Sequence, residues 1–566
     1  MIYLSLALLS LLTVSNQGCL PQTFGDDDQT GCLAQQIPLT DDSDYDKYEP
    51  FTSEFNTYVE DIIDQWNTPG LAISVVHGQD TFAKGYGYAD VESKEPVTPF
   101  TLFQGASTTK SFTASLAALL VQDNGTFKDI KWDSKLHEIQ PDDFSLADSY
   151  RYESSEVTFL DALSHRTGLP RHDFAWVNTN LTIKQQTQVL KHVPLSASFR
   201  TKWQYCNLMF TAVANAIETL TGKPAAQIYK SWLWDPLGMK QTYASVEDAE
   251  TCKQSNHACI HASQYSFTNK SAGYVKIPLK QNPEINGAGG VISNVHDYAK
   301  WVRALMTMTG PVSKAGHEAL RQPLSFVSAY DDFPYDGTTT YGMGMFSATY
   351  RGKRVYYHNG AIGGFWSRFT FFPGLDWGFT VMQNAPNFSV DIVAWRLMMD
   401  FLNVPKEDRV DINKLYWDGL EKHMRDTKAK PKELYPSVPS PPILPSLAPN
   451  EYTGTYSHPG YGNITLVLGY PEGAHLKQTQ WLEPPTTVVM YLKTHLLGVY
   501  EVFHHVSGDH WLVEEQWADT YNGDVPISFT KARTQIGPDG KVDSIHIIIE
   551  PDVEGDEGWA KFVKIA

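Results

Sequence analysis

The chain has 566 residues, 42% of them hydrophobic, and 45 Lys+Arg against 64 Asp+Glu give a formal charge of −19. At about 100–200 residues per domain that length allows two or more cores, and the composition excludes a disordered, collagen-like or coiled-coil chain. An acidic balance without a basic run argues against nucleic-acid binding through phosphates and leaves a solvated, acidic surface.

Residues Ile2 to Val14 are apolar and uncharged, too short for a spanning helix, and lead into Ser15-Asn16-Gln17-Gly18. This is a secretory signal pattern with its positive region reduced to the terminal amine. It predicts a signal peptide at 1–18, a mature start near Cys19 and an extracellular location. No later apolar run reaches about 18 residues, so no membrane span is expected. In an oxidising compartment, Cys19–Cys32 and Cys252–Cys259 could close two short loops, leaving Cys206 as a buried free thiol; sequence alone does not fix the pairing. Asn-x-Ser/Thr sequons at Asn124, Asn180, Asn269, Asn387 and Asn463 would carry glycans if a eukaryotic cell secretes the chain.

After an acidic segment, 19–50, Phe55, Val59, Ile62, Ile63 and Trp66 recur at helical spacing and stop before Pro69-Gly70. Leu71–His77 and Thr81–Tyr88 flank Gly78-Gln79-Asp80 and predict a hairpin. From Ser107 a second helix carries Phe112, Leu116, Leu119 and Leu120 on one stripe and ends at Asn124-Gly125. Strand-like segments surround His358 and cover Phe369–Phe372 and Gly378–Met382, followed by an apolar helix, Asp391–Leu402. Seven prolines between Pro431 and Pro449 mark a linker, set at 423–449, because so many fit neither helix nor central strand. Short alternating runs such as Ile464–Leu468 and Ile545–Ile549 then predict an all-β domain at 450–566, a small barrel or sandwich.

Ser107-Thr108-Thr109-Lys110 opens the second helix, and Ser-x-x-Lys sets both side chains on one face, one turn apart. A hydroxyl attacks only when a neighbour takes its proton, and Lys can do so only when burial or nearby cations lower its pKa. The helix N-terminus adds N–H groups where an oxyanion would develop. A second copy, Ser528 to Lys531, falls in the β domain with no helix to align it. Two further elements follow in order: Tyr205-Cys206-Asn207 and His358-Asn359-Gly360. The cluster His504, His505 and His510 lacks the Cys or carboxylate spacing of a zinc site, so neither metal nor cofactor is expected.

With these motifs in order, the chain resembles the class C β-lactamase-like serine hydrolases, which include penicillin-binding D,D-peptidases, D-aminopeptidases, esterases and transesterases. The resemblance covers residues 51 to 403 and includes Pro69-Gly70-Leu71-Ala72-Ile73, Lys84-Gly85-Tyr86-Gly87, Ser164 to Pro170, Asp235 to Met239 and Gly289 to Trp301. It implies an α/β (α+β) fold, a β-lactamase/transpeptidase-like domain at 51–422 with an antiparallel sheet flanked by helices. The C-terminal part resembles the lipocalin-like β domain of some members. Carried over, Ser107 would be the acylated nucleophile and Lys110 its proton acceptor or shuttle. Tyr205, with a phenol pKa depressed beside Lys110, would be general base and then proton donor. Asn207 would hold a substrate carbonyl or orient Lys110. The N–H groups of Ser107 and Ala361, next to Gly360, would form the oxyanion hole, and His358 stands where many relatives carry Lys. A His is a poorer anchor for a substrate carboxylate, which moves weight from β-lactams to esters, amides or acyl transfer. Cys206 should be a small buried filler, and His165 and His172 should structure their loop. The expected partner is a small-molecule ester or amide, or a short peptide. An acyltransferase on the same acyl-enzyme, or a binding protein that has lost turnover, are the alternatives.

Overall fold

The computed structural model describes residues 48–177, 181–252, 260–265, 273–279, 285–327, 333–471, 481, 488–493, 499–517, 527–550, 553 and 555–566. The signal pattern, Cys19, Cys32, Cys259, Asn180 and Asn269 lie outside them.

Helix α1 (Ser53–Gln65) is opened by Thr52, whose Oγ1 accepts the Phe55 N–H at 3.2 Å, and it buries Phe55, Val59 and Ile62. The predicted hairpin follows as β1 (Gly70–His77) and β2 (Asp80–Asp90), extended by β3 (Glu95–Pro96). Six later strands join them: β4 (Ser325–Val327), β5 (Thr339–Tyr341), β6 (Phe346–Tyr350), β7 (Lys353–Ile362), β8 (Phe365–Phe372) and β9 (Trp377–Gln383). The order is β3-β2-β1-β9-β8-β7-β6-β5-β4 and the neighbours are antiparallel, with Leu71 opposite Gln383 and His77 opposite Trp377.

Between β3 and β4 the chain builds a helical half around α2 (Thr109–Gln122), α3 (Asn207–Thr221), α4 (Asn286–Gly289) and α5 (Val295–Thr307). Helix α6 (Ser389–Phe401) follows β9. Strand β1 is apolar along its length because both faces are covered. Leu71, Ile73 and Val75 share one core with Phe55, Val59 and Trp395 of α1 and α6, while Ala72 and Val76 turn to the other core with Val302 and Phe371. The sheet is thus sandwiched between helical layers, as the resemblance implied.

The linker starts later than predicted. Helix α7 (Ile412–Leu434) runs through the first part of 423–449 and carries Pro431 in its final turns. A proline there forfeits one backbone hydrogen bond, while Ile412, Tyr416, His423, Thr427 and Pro431 gain burial along one side. From Tyr435 to Ala448 the chain then forms neither helix nor strand.

The C-terminal domain is a closed barrel, not a sandwich: β10 (Gly454–His458), β11 (Gly462–Leu468), β12 (Val489–Leu492), β13 (Val499–Ser507), β14 (His510–Trp517), β15 (Ser528–Ile536), β16 (Val542–Ile548) and β17 (Trp559–Lys564), with β17 pairing back onto β10. Tyr456, Ile464, Phe503, Trp511, Val513, Ile545 and Phe562 are buried in a core continuous with that of the helical half. The second Ser-x-x-Lys lies on β15, where residues three apart point to opposite faces. His504 is engaged with Glu514 on the facing strand at 2.5 Å and His505 with the Gly508 carbonyl at 2.9 Å. Of the sequons, Asn124 and Asn463 are exposed. Asn387 is buried and held by Thr68 at 3.0 Å and the Trp66 carbonyl at 3.0 Å, so it is closed to glycosylation.

Candidate active site

Three elements converge: the turn before α2, the start of α3 and one edge of β7. Ala106 to Thr108 form a 3-10 turn in which Ala106 has φ +48°, a left-handed conformation that costs a non-glycine residue about 1–3 kcal/mol. It is held from all sides. Thr108 Oγ1 donates to the Gly105 carbonyl at 2.7 Å and meets Tyr298 at 2.7 Å, and Ser367 Oγ donates to the same carbonyl at 2.6 Å. Ala106 and Thr108 are buried, whereas Ser107 between them keeps partial exposure.

Lys110, one turn on, is completely buried. Its Nζ lies 2.7 Å from Asn207 Oδ1, 2.9 Å from the Ala288 carbonyl and 3.2 Å from Ser107 Oγ. Burial, and then the Arg171 guanidinium, hold its pKa well below the usual lysine value. A neutral amine has two N–H groups and one lone pair. The two carbonyl acceptors take the N–H groups, which turns the lone pair to the Ser107 hydroxyl. The Ala288 carbonyl comes this close because α4 packs tightly on α3: a Cβ on Gly287 would stand 2.6 Å from the Phe210 carbonyl oxygen.

Tyr205 precedes α3 and is buried. Lys110 Nζ lies 4.7 Å from its ring centroid and the Arg171 guanidinium carbon 4.9 Å. Burial outweighs the Arg171 charge and pushes the Tyr205 pKa up, against the depressed phenol that the general-base role calls for.

His358 sits on β7, buried, with its ring 6.3 Å from that of Tyr205. Nδ1 is 2.6 Å from the Asn359 carbonyl and therefore carries the proton, and Nε2 accepts from the Tyr341 hydroxyl at 3.0 Å. Burial, with Lys110 nearby, lowers its pKa to about 3. Placed in this way it is a neutral wall of the site whose two ring nitrogens are both occupied. Beyond Tyr357, β7 is paired with β8, and its other edge faces the Ser107 turn. The approach is so close that a Cβ on Gly360 would stand 2.3 Å from the Gly105 carbonyl oxygen and 2.9 Å from the Ser107 nitrogen. Ala361 follows Gly360 on β7, opposite Trp366.

The motifs did not reveal Arg171 and Asp173. Asp173 Oδ1 accepts from Asn207 Nδ2 at 2.8 Å and from Trp176 Nε1 at 2.7 Å, while its Oδ2 pairs with Arg171 Nε at 2.5 Å. Asn207 is therefore fixed between Asp173 and Lys110, with its amide oriented by both. His165, with φ +58°, lies 4.4 Å from the Tyr205 ring centroid to centroid and accepts the Cys206 N–H at 3.1 Å through Nδ1. It structures the loop, as expected. Cys206 is free and buried, and desolvation pushes its thiol up to about 12, which makes it inert.

A serine beside a buried lysine and a tyrosine, on an antiparallel sheet sandwiched by helices, is the arrangement of a β-lactamase-fold serine hydrolase. Residues 55–403 match the Beta-lactamase family, and the chain belongs to it; it is a serine hydrolase of the β-lactamase-related type, a class acting on amide or ester bonds. Among particular relatives, it is 33% identical to the Unguisins hydrolase ungD' of Aspergillus campestris over 91% of this chain and 93% of that protein. It is 24% identical to a D-aminopeptidase of Cereibacter sphaeroides over 52% of each chain. The fold is shared with the octameric penicillin-binding protein homologue from Pyrococcus abyssi (18% identity, TM-score 0.53, 90% of this chain and 99% of that one).

Proposed function

We propose that the protein is a secreted amide hydrolase working through an acyl-enzyme on Ser107. The observation that carries this reading is the dry Lys110 amine, held by Asn207 and Ala288 with its remaining valence on Ser107. As Oγ attacks the substrate carbonyl carbon, its proton passes to Lys110 Nζ and the carbonyl π electrons move onto oxygen, facing the N–H groups of Ser107 and Ala361. Collapse breaks the C–N bond, and the proton returns to the leaving amine through Lys110 and the Tyr205 hydroxyl. Water then attacks the ester carbon and gives its proton to Lys110; collapse breaks the C–Oγ bond, releases the acid and returns that proton from Lys110 to Ser107 Oγ.

A neutral, enclosed His358 offers no charge to a free carboxylate beside the scissile bond, which favours an internal amide. The names of the similar proteins point the same way, towards unguisins and D-amino-acid peptides. Secretion rests on the apolar run Ile2–Val14.

The test is the intact mass of the purified protein after a serine-directed phosphonate, for wild type, Ser107→Ala and Lys110→Ala. One adduct on wild type, absent from Ser107→Ala and slowed in Lys110→Ala, is expected; no adduct on wild type between about pH 6 and 9 overturns the reading. Unguisins and D-amino-acid amides are the first substrates to follow by product mass.

A further inference from the structure

We infer that the C-terminal barrel sets the catalytic geometry: Tyr461 and Glu550 clamp His172, and the clamp holds the flanking Arg171 and Asp173 against Tyr205 and Asn207. This rests on the reading of Ser107, Lys110 and Tyr205 as the acylating site.

The His172 backbone N–H donates to Glu550 Oε2 at 2.7 Å. Its ring is engaged at both nitrogens: Nε2 lies 2.7 Å from the Pro194 carbonyl and must carry the proton, so Nδ1 accepts from the Tyr461 hydroxyl at 2.8 Å. His172 has φ +46°, a conformation that persists only where its surroundings impose it. His172 is fully buried and Tyr461 and Glu550 are each 3% exposed, so a lost partner leaves a buried polar group unpaired on the protein side. Phe174 adds contacts to Tyr461 and Phe562, at ring-centroid distances of 6.0 and 6.4 Å.

The residues on either side of His172 face the reacting groups. Arg171 stacks on Tyr205 with its guanidinium carbon 4.9 Å from the ring, and Asp173 takes the Asn207 amide at 2.8 Å. Asn207 in turn holds Lys110 at 2.7 Å. A short path therefore runs from two barrel side chains, through one clamped residue, to the proton acceptor of the nucleophile. The charged and titratable groups around Lys110 are Arg171, Asp173, Tyr205, Cys206, His165 and His358. Around His172 they are Arg171, Asp173, Glu550, Tyr461 and His458. Of those acting on Lys110, the Arg171 charge works most strongly to keep the amine neutral after burial itself. A loop that drifts takes Arg171 away together with its paired Asp173, whose charges oppose each other, and loosens the burial of Lys110; burial is the larger cause, so the lysine then holds its proton to higher pH. Tyr461 and Glu550 act through Arg171 and Asp173 and are positioning residues.

The experiment is the rate of phosphonate modification of Ser107 across pH on the full chain, for wild type, Tyr461→Phe, Glu550→Ala and Glu550→Gln. Tyr461→Phe and Glu550→Ala should slow modification at pH 7 by about tenfold or more, the scale of one buried hydrogen bond, and move the inflection to higher pH. Glu550→Gln keeps an acceptor for the His172 N–H and should restore most of the rate. A merely structural contact would lower the melting temperature and leave the inflection where it is. Wild-type rate and inflection in Tyr461→Phe and Glu550→Ala overturn the positioning role. If Glu550→Ala does not fold, Tyr461→Phe decides alone. A wild type that is never modified overturns the underlying reading, and the positioning role with it.

Discussion

Asn207 Oδ1 accepts from Lys110 Nζ at 2.7 Å, a tighter contact than the 3.2 Å between Lys110 and the Ser107 hydroxyl it is to deprotonate. The amine is thus held by its spectator and left freer towards its reactant. Asn207→Asp would place a carboxylate against both Lys110 and Asp173. An adjacent negative charge favours the protonated amine, so modification of Ser107 should fall about 100-fold at pH 7 and recover towards higher pH. Asn207→Ala should lose rate without that recovery. Equal pH profiles for the two variants would remove Asn207 from the control of Lys110.

Replacing the base itself tests its role. Lys110→Ala should slow acylation of Ser107 by about 100- to 10,000-fold. Lys110→Arg should do no better, because a guanidinium does not give up its proton. In the wild type, burial lowers the Lys110 pKa below its unfolded value, so acylation should rise with pH as the amine is released and level off well below the ordinary lysine range. Stopped-flow burst amplitudes and rates against pH check both statements.

Gly360→Ala probes the edge of β7. The new Cβ would meet the Gly105 carbonyl oxygen at 2.3 Å and the Ser107 nitrogen at 2.9 Å. Backbone must shift at the oxyanion site, and the expected loss is about 100-fold in acylation rate, comparable to deleting one oxyanion donor. The nine-stranded sheet behind it should survive, with melting lowered by only a few degrees. Calorimetry run beside the acylation assay separates the two effects.

Acid should unfold the protein early. His358 and His172 are buried and neutral, with pKa lowered to about 3 and about 4, against roughly 6.5 when unfolded. Between those values the unfolded chain binds protons that the native chain does not, so stability is lost as pH falls from about 6.5 towards the folded values. Each histidine contributes about 1.4 kcal/mol per pH unit in that window, the pair about 3 kcal/mol. Urea midpoints at pH 7, 6 and 5 should fall accordingly, and His358→Gln should flatten the trend by its own share only, because burial also holds His165, His317 and His458 neutral.

Much of this was legible in the sequence. The helical stripe Phe55–Trp66, the hairpin after Gly70 and the strands flanking His358 are regular periodic signals, and Ser107 and Lys110 are joined by helix geometry alone. Arg171 and Asp173 were hidden because their loop has no period and its partners are remote; His172 meets Glu550 across 378 positions. At Tyr205 the surroundings push the phenol up, which spacing along the chain does not reveal. Proximity to a lysine lowers a phenol's pKa only if that lysine is charged, and burial here neutralises Lys110 while disfavouring phenolate directly. By its residue type Pro431 reads as a helix breaker, whereas near a helix end its cost is a single hydrogen bond that burial of its ring along α7 offsets.

The packing of Phe174 between Tyr461 and Phe562 joins two folds into one hydrophobic interior. The shared core should make the molecule melt in one transition despite its division into a sandwich and a barrel, which calorimetry checks. A protease that nicks the proline-rich stretch after Leu434 would therefore leave two fragments still associated, and the catalytic half would not be obtained by cutting the gene at that point.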